Sequence, residues 1–182
     1  MSKTVLSRET LLPPLAAHVL RHGLGDASLR PLARSAGTSD RMLLYHFGSK
    51  ERLMADLLSH LADIYSNALD AALAKDRPAT RQALLESILT LSSGPALQPF
   101  LRVWWEIVAG AARGQTGYRE AAAAMMARQV EWLESQMPAG DPDPAGGARY
   151  LSTLIEGALM MEAIGQGAIA RDALLASDTS GH

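Results

Sequence analysis

Residues 28–53 read SLRPLARSAGTSDRMLLYHFGSKERL, and this stretch decides the fold. Ser28 has the side chain of a helix N-cap, and Pro31 still falls in the first turn, where amide donors have no intrahelical partner. Gly37 supplies a left-handed residue that ends the helix after Ala36. Thr38 follows, and Ser39 heads a second helix that runs to Phe47. Gly48 and Ser49 then open a third helix that continues to about Ala74. Two short helices joined by about three residues containing glycine form a helix-turn-helix.

The second helix of such a pair can enter the major groove with its N-terminal residues foremost. Sorted by face, Leu43 and Phe47 pack inward on Leu29, Leu32 and Ala33, with Met42 or Leu44 alongside. Asp40, Arg41, Tyr45 and His46 are left on the exposed side. The planar fork of Arg41 suits a guanine edge or a phosphate. Tyr45 and His46 can donate to phosphate oxygens, and Lys50 sits at a helix start whose amides favour the same anion. A surface helix of mixed charge is the bland alternative. Charge is distributed unevenly, by chance clustering on a solvated surface or for a partner: residues 1–55 hold eight basic and four acidic side chains, and the remainder hold nine and fifteen. A basic front on an acidic body suits a polyanionic partner for the front alone.

Outward from this segment the chain reads as helix after helix, with no period-two run of strand length, which predicts an all-α fold. Upstream, a helix covers Leu11 to His22 with Leu12, Leu15, Val19 and Leu20 on its inner stripe. Pro13-Pro14 places its start late, near residue 11. The helix from Ser49 buries Leu53, Leu57, Leu61, Ile64 and Ala68. Breakers at Pro78, 92–95, 114–117 and 138–147 delimit further helices near 80–92, 97–113, 117–136 and 145–165, with a short one at 169–176.

Composition removes several function classes. The 182 residues include no cysteine, which excludes disulfides and thiolate metal sites. The N-terminus has no apolar signal run, and no stretch approaches the ~20 apolar residues of a membrane span, so a cytoplasmic protein without a membrane partner is expected. His18 and His22 stand at a metal-compatible spacing but have no third ligand in the pattern. Gly23-Leu24-Gly25 follows no strand, so it is not a phosphate loop. No nucleophile–base arrangement can be drawn. Neither a catalytic activity nor a cofactor is expected; a helical-bundle enzyme and a helical protein-interaction adaptor are the alternatives from other classes.

Residues 8–57 resemble the N-terminal domain of the TetR family of one-component transcriptional regulators. The resemblance rests on the arginine start, Gly23, Ser28, Leu32-Ala33 with Ala36-Gly37, Ser39, Leu43, His46-Phe47, and Lys50-Glu51 before Leu53. It implies base or groove contacts from Arg30, Asp40, Arg41, Met42 and Tyr45, and phosphate contacts from Ser28, His46 and Lys50. Thr38 and Ser39, at the leading end of the helix, complete the candidate DNA-facing set. The chain departs from the family pattern in three places. Its tyrosine is Tyr45, one residue later than usual, Arg41 stands where a small residue is common, and Pro13-Pro14 interrupts the first helix.

The resemblance further implies a helix-turn-helix DNA-binding domain at 1–48 and a helical effector-binding and dimerisation domain at 49–182, linked by the helix that opens at Ser49. A homodimer would bind a palindromic operator in double-stranded DNA as a repressor and leave it on binding a small apolar effector. Trp104, Trp105, Glu106, Met125, Met126, Tyr150, Glu156, Met160 and Met161 are candidate lining for the effector, because tryptophan and methionine suit a broad apolar site. Core packing is the competing reading for each of them. Glu106, beside two tryptophans, could pair with a cationic apolar ligand, bind Arg102 or face solvent. The segment 148–165 mixes large apolar residues with Gly157, Ala158 and Ala163, and with 169–176 it forms the expected dimer interface.

Overall fold

The computed structural model describes residues 6–75 and 77–178, with side chains through Leu174. The side chains of Leu175 and Ala176, part of the expected interface segment, lie outside those described. Among the described residues there are helices and no strands: α1 Arg8–His22, a 3-10 turn Leu24–Asp26, α2 Leu29–Ser35, α3 Asp40–Phe47, α4 Lys50–Leu73, α5 Arg81–Ser92, α6 Gln98–Ala112, α7 Tyr118–Gln136, α8 Pro144–Ala163 and α9 Gly167–Asp178. None is long and apolar enough to cross a membrane. The all-α class is as the periodicity predicts.

α1 begins at Arg8 rather than near residue 11. Ser7 and Thr10 form a reciprocal capping box: the Thr10 hydroxyl accepts from the Ser7 amide at 2.9 Å, and the Ser7 hydroxyl accepts from the Thr10 amide at 3.3 Å. Pro13 and Pro14 therefore lie inside the helix, where each withholds an amide from the carbonyl four residues back. That costs about 3 kcal/mol per interior proline. Burial on the same helix offsets it, since Leu11, Leu15 and Val19 are all sealed from solvent and each fully buried aliphatic side chain contributes about 2 kcal/mol. Leu11, rather than Leu12, leads the inner stripe; Leu12 and Leu20 pack half-buried at its margin.

The helices pack as two compact units. One unit comprises 1–67 with 98–126, and the other 68–97 with 127–182, among the residues described. In the first, Leu11, Leu15, Val19, Leu32, Leu43, Phe47, Leu53, Leu57, Val103 and Ile107 form a continuous core, so α6 is built into the same packing as the first four helices. In the second, α8 packs against α5 and α9, and Leu84, Leu85, Ile88, Leu133, Leu151 and Ile155 are buried. The stripe of α4 also shifts: Ala68 is exposed, and Leu69 and Leu73 carry burial onward.

The loop before α8 is fixed within the second unit. Asp141 accepts two hydrogen bonds from Arg81, at 2.7 Å from Nε and 2.6 Å from Nη2. Arg81 also donates to the Asp143 carbonyl at 2.9 Å, and Asp143 caps α8 by accepting from the Gly146 amide. This bidentate pairing holds the Asp141 carboxyl down to about 2 and pushes the guanidinium up.

Candidate nucleic-acid interface

The turn between α2 and α3 is determined by glycine. Gly37 has φ 62, and its amide donates to the Arg34 carbonyl while the Thr38 amide reaches back to Ala33 at 2.9 Å. These paired bonds form a Schellman motif, which satisfies the last carbonyls of α2 and sends the chain off in one direction. Ser39 then caps α3 by accepting from the Met42 amide at 3.3 Å. Ser28 occupies the corresponding position before α2, but its hydroxyl makes no capping bond.

α3 divides its faces cleanly. Leu43 and Phe47 are fully buried, in one cluster with Leu32 and Ala33, and Leu29 is packed against it. Tyr45 is 78% exposed, and Arg41 one turn earlier is exposed on the same outer face. Met42 lies half-buried on a flank, whereas Leu44 is open to solvent. Arg30, Ser28, Ser39 and Lys50 are exposed, and Thr38 and Asp40 are half-buried. His46 differs from its expected outward position: its Nε2 is buried, and its ring meets Tyr45 edge-on at 5.2 Å. Helix geometry explains this, because residue 46 lies three positions after buried Leu43 and so turns toward the core margin.

The start of α4 continues the basic surface. Ser49 accepts from the Arg52 amide at 3.2 Å, and exposed Lys50 stands beside it. The Glu51 carboxyl is held below its usual range by a backbone amide bond and by Ser49.

Arg8 is a contributor that sequence reading noticed only as a pattern element. Its Nε donates to the His46 carbonyl at 2.6 Å and its Nη1 pairs with Asp56 at 3.4 Å. The guanidinium also stands 5.7 Å from the centre of the Phe47 ring. One side chain thus joins the start of α1, the last turn of α3 and the body of α4, with a positive charge at the negative end of α3. The signal available in the sequence was an arginine ahead of a helix; its partners lie 38 and 48 residues away.

The expected effector residues fall into different units. Trp104, Trp105, Glu106, Met125 and Met126 belong to the first, and Tyr150, Glu156, Met160 and Met161 to the second. Trp104 and Met125 pack against the core of the first unit. Tyr150 and Met160 are about half exposed on α8. Glu106 neither pairs with Arg102 nor stands free: its carboxylate accepts from the Leu24 amide at 2.8 Å. His18 places Nε2 3.1 Å from the Asp26 carboxylate, and its ring packs on His22 at 4.7 Å. Among the described residues, no three His, Cys, Asp or Glu side chains are grouped to hold a metal.

Comparison with known proteins places this geometry in context. Residues 16–57 match the family model described as bacterial regulatory proteins, tetR family. The HTH-type transcriptional regulator BetI of Pseudomonas paraeruginosa is 32% identical over 105 residues, covering 54% of this chain and 53% of that protein. The match therefore spans about half the length of this curated relative. A solved structure assigned to a transcriptional regulator of Streptomyces coelicolor A3(2) superposes with a TM-score of 0.69 at 28% identity, covering 92% of this chain and 95% of the other. The multidrug binding protein EbrR complexed with proflavin superposes with a TM-score of 0.65 at 21% identity, covering 92% and 97%.

Proposed function

The chain belongs to the TetR family of bacterial regulatory proteins, and from that premise we propose that it is a sequence-specific DNA-binding regulator and not an enzyme. The observation that carries this reading is the outer face of α3, where Arg41 and Tyr45 stand exposed one turn apart behind a buried Leu43–Phe47 face. Arg41 supplies a bidentate fork for a base edge, and Tyr45 reaches the same groove. Lys50, with Arg30 and Ser28, grips the flanking phosphates. His46 acts here through its backbone carbonyl, which anchors Arg8, rather than through its ring.

The finer reading is a cytoplasmic repressor that binds a palindromic operator as a two-fold dimer. Tyr150 and Gly157 on α8 and Ile164, which caps it, recur every seven residues, and Tyr150 and Ile164 are exposed. A Cβ added at Gly157 meets nothing within 4 Å. With Met160 and exposed Ile169 of α9 they make an apolar strip suited to pack against its own copy. Tyr150 and Met160 therefore serve dimerisation in this reading, while Trp104, Trp105, Met125 and Met126 remain the side chains proposed to contact a small apolar effector that releases the DNA. Glu156 stays with the effector set by position alone.

Fluorescence anisotropy on duplexes enriched from a randomised library tests the DNA claim. Arg41→Ala should relax preference at one base position and cost about 1–3 kcal/mol on the preferred duplex. Lys50→Ala should weaken all duplexes alike and lower the salt slope by about 1. Wild-type affinity in both variants would sink the reading.

A further inference from the structure

The turn that joins α1 to α2 is held from α6. Gly23 ends α1 at φ 78 and ψ 178, a backbone region open to glycine alone. A Cβ there would stand 2.5 Å from Oε1 of Glu106, so the carboxylate occupies the space that a side chain would need. The other oxygen, Oε2, accepts from the Leu24 amide at 2.8 Å. One helical turn earlier, Arg102 Nη2 donates to the Leu20 carbonyl at 3.5 Å, against the last turn of α1. His18 and Asp26 close the turn from the α1 side. Turn 23–26 is where α1 hands over to the helix-turn-helix, and its Leu24 amide is satisfied by a carboxylate 82 residues away.

We propose that Glu106 is a positioning residue for DNA binding: its carboxylate fixes turn 23–26 and, through α2, the presentation of α3. It touches no DNA and belongs to the DNA-reading machinery rather than to an effector-binding surface. A charge-assisted bond to a partly buried amide is stronger than its neutral equivalent. Removing the acceptor leaves the Leu24 N–H without a partner in a place where burial makes that unfavourable. The turn then gains freedom, and the outer face of α3 is offered to the groove in more than one orientation.

This inference rests on the DNA-binding reading, and its test keeps the two apart. Wild type, Glu106→Met, Glu106→Gln and Lys50→Ala are compared on the duplex that wild type enriches from a randomised library, with hydrogen exchange followed across residues 20–27. Glu106→Met should weaken affinity about tenfold, leave the salt slope unchanged because no phosphate contact is lost, and speed exchange at Leu24. Glu106→Gln, which keeps an acceptor oxygen, should restore both affinity and protection. A merely structural role would lower the melting temperature without this split between methionine and glutamine in affinity at matched folded fraction. Glu106→Asp, whose carboxylate is withdrawn by one methylene, should weaken binding as well and serves if the methionine variant does not fold. Wild-type affinity in the methionine and aspartate variants, with Lys50→Ala still weakened, overturns the positioning role alone. Failure of wild type to enrich any duplex overturns the DNA-binding reading and the inference with it.

Discussion

Phe47 and Tyr45 sit two residues apart on the same helix and carry opposite duties. Phe47 is fully buried and Tyr45 is 78% exposed. Truncating Phe47 to alanine removes a ring from a closed cluster, so denaturant unfolding should show a loss of about 3–5 kcal/mol. Tyr45→Ala should change stability by no more than about 0.5 kcal/mol while reducing affinity for the preferred duplex in an anisotropy titration. A large loss of stability in the tyrosine variant would contradict the exposed placement. The division between these residues was legible in the sequence, because i,i+4 apolar spacing on a short helix leaves few choices of inner face. The roles of Arg8 and Glu106 were not legible. Each bonds a backbone group 38 or 82 residues away, and no local pattern encodes such a partner.

At the scale of single elements, boundaries set by serine and glycine were readable and those set against a breaker were not. Ser39, Gly37 and Ser49 act where their types suggested. α1 was harder, because two prolines argue for a late start while the capping box uses threonine where glutamate or glutamine is the familiar signal. The Arg81–Asp141 clasp belongs to this scale too, since it ties the first turn of α5 to the loop before α8. The Asp141 carboxyl titrates near 2 in the folded protein instead of 3.8. Its folded value is depressed, so the clasp is fully stabilising above the unfolded value and is lost as pH falls through the folded one. Between pH 3.8 and about 2 the unfolded chain binds the extra proton, and stability should climb with pH. Asp141→Asn should flatten that climb in urea titrations run across this window. An unchanged slope would remove Asp141 as its source.

For the molecule as a whole, the grouping of helices follows contacts that bridge distant parts of the chain. α6 packs with α1, and so a segment about 50 residues downstream of the helix-turn-helix shares its core. Helix count and order were readable from periodicity and breakers, but this grouping depends on which apolar stripe meets which, and a stripe does not name its partner. The α8 strip carries the assembly prediction. Ile164 is 64% exposed, so Ile164→Glu should leave the fold intact by circular dichroism. In sedimentation velocity it should shift the protein toward a monomer, because a charge buried in a two-fold interface faces its own copy. A variant that sediments like the wild type would place the interface elsewhere.

The two-faced construction of α3 has a consequence for how such a protein diversifies. Because Arg41 and Tyr45 contribute almost nothing to the core, while Leu43, Phe47 and the Gly37 turn hold the helix in place, target preference and foldedness are separable traits in this segment. On the role proposed for this face, substitutions can accumulate at positions 41 and 45 without the stability threshold being crossed, so a lineage can drift to a new cognate site through intermediates that all remain folded. The same separability makes these two codons the natural place to randomise when retargeting the scaffold by selection.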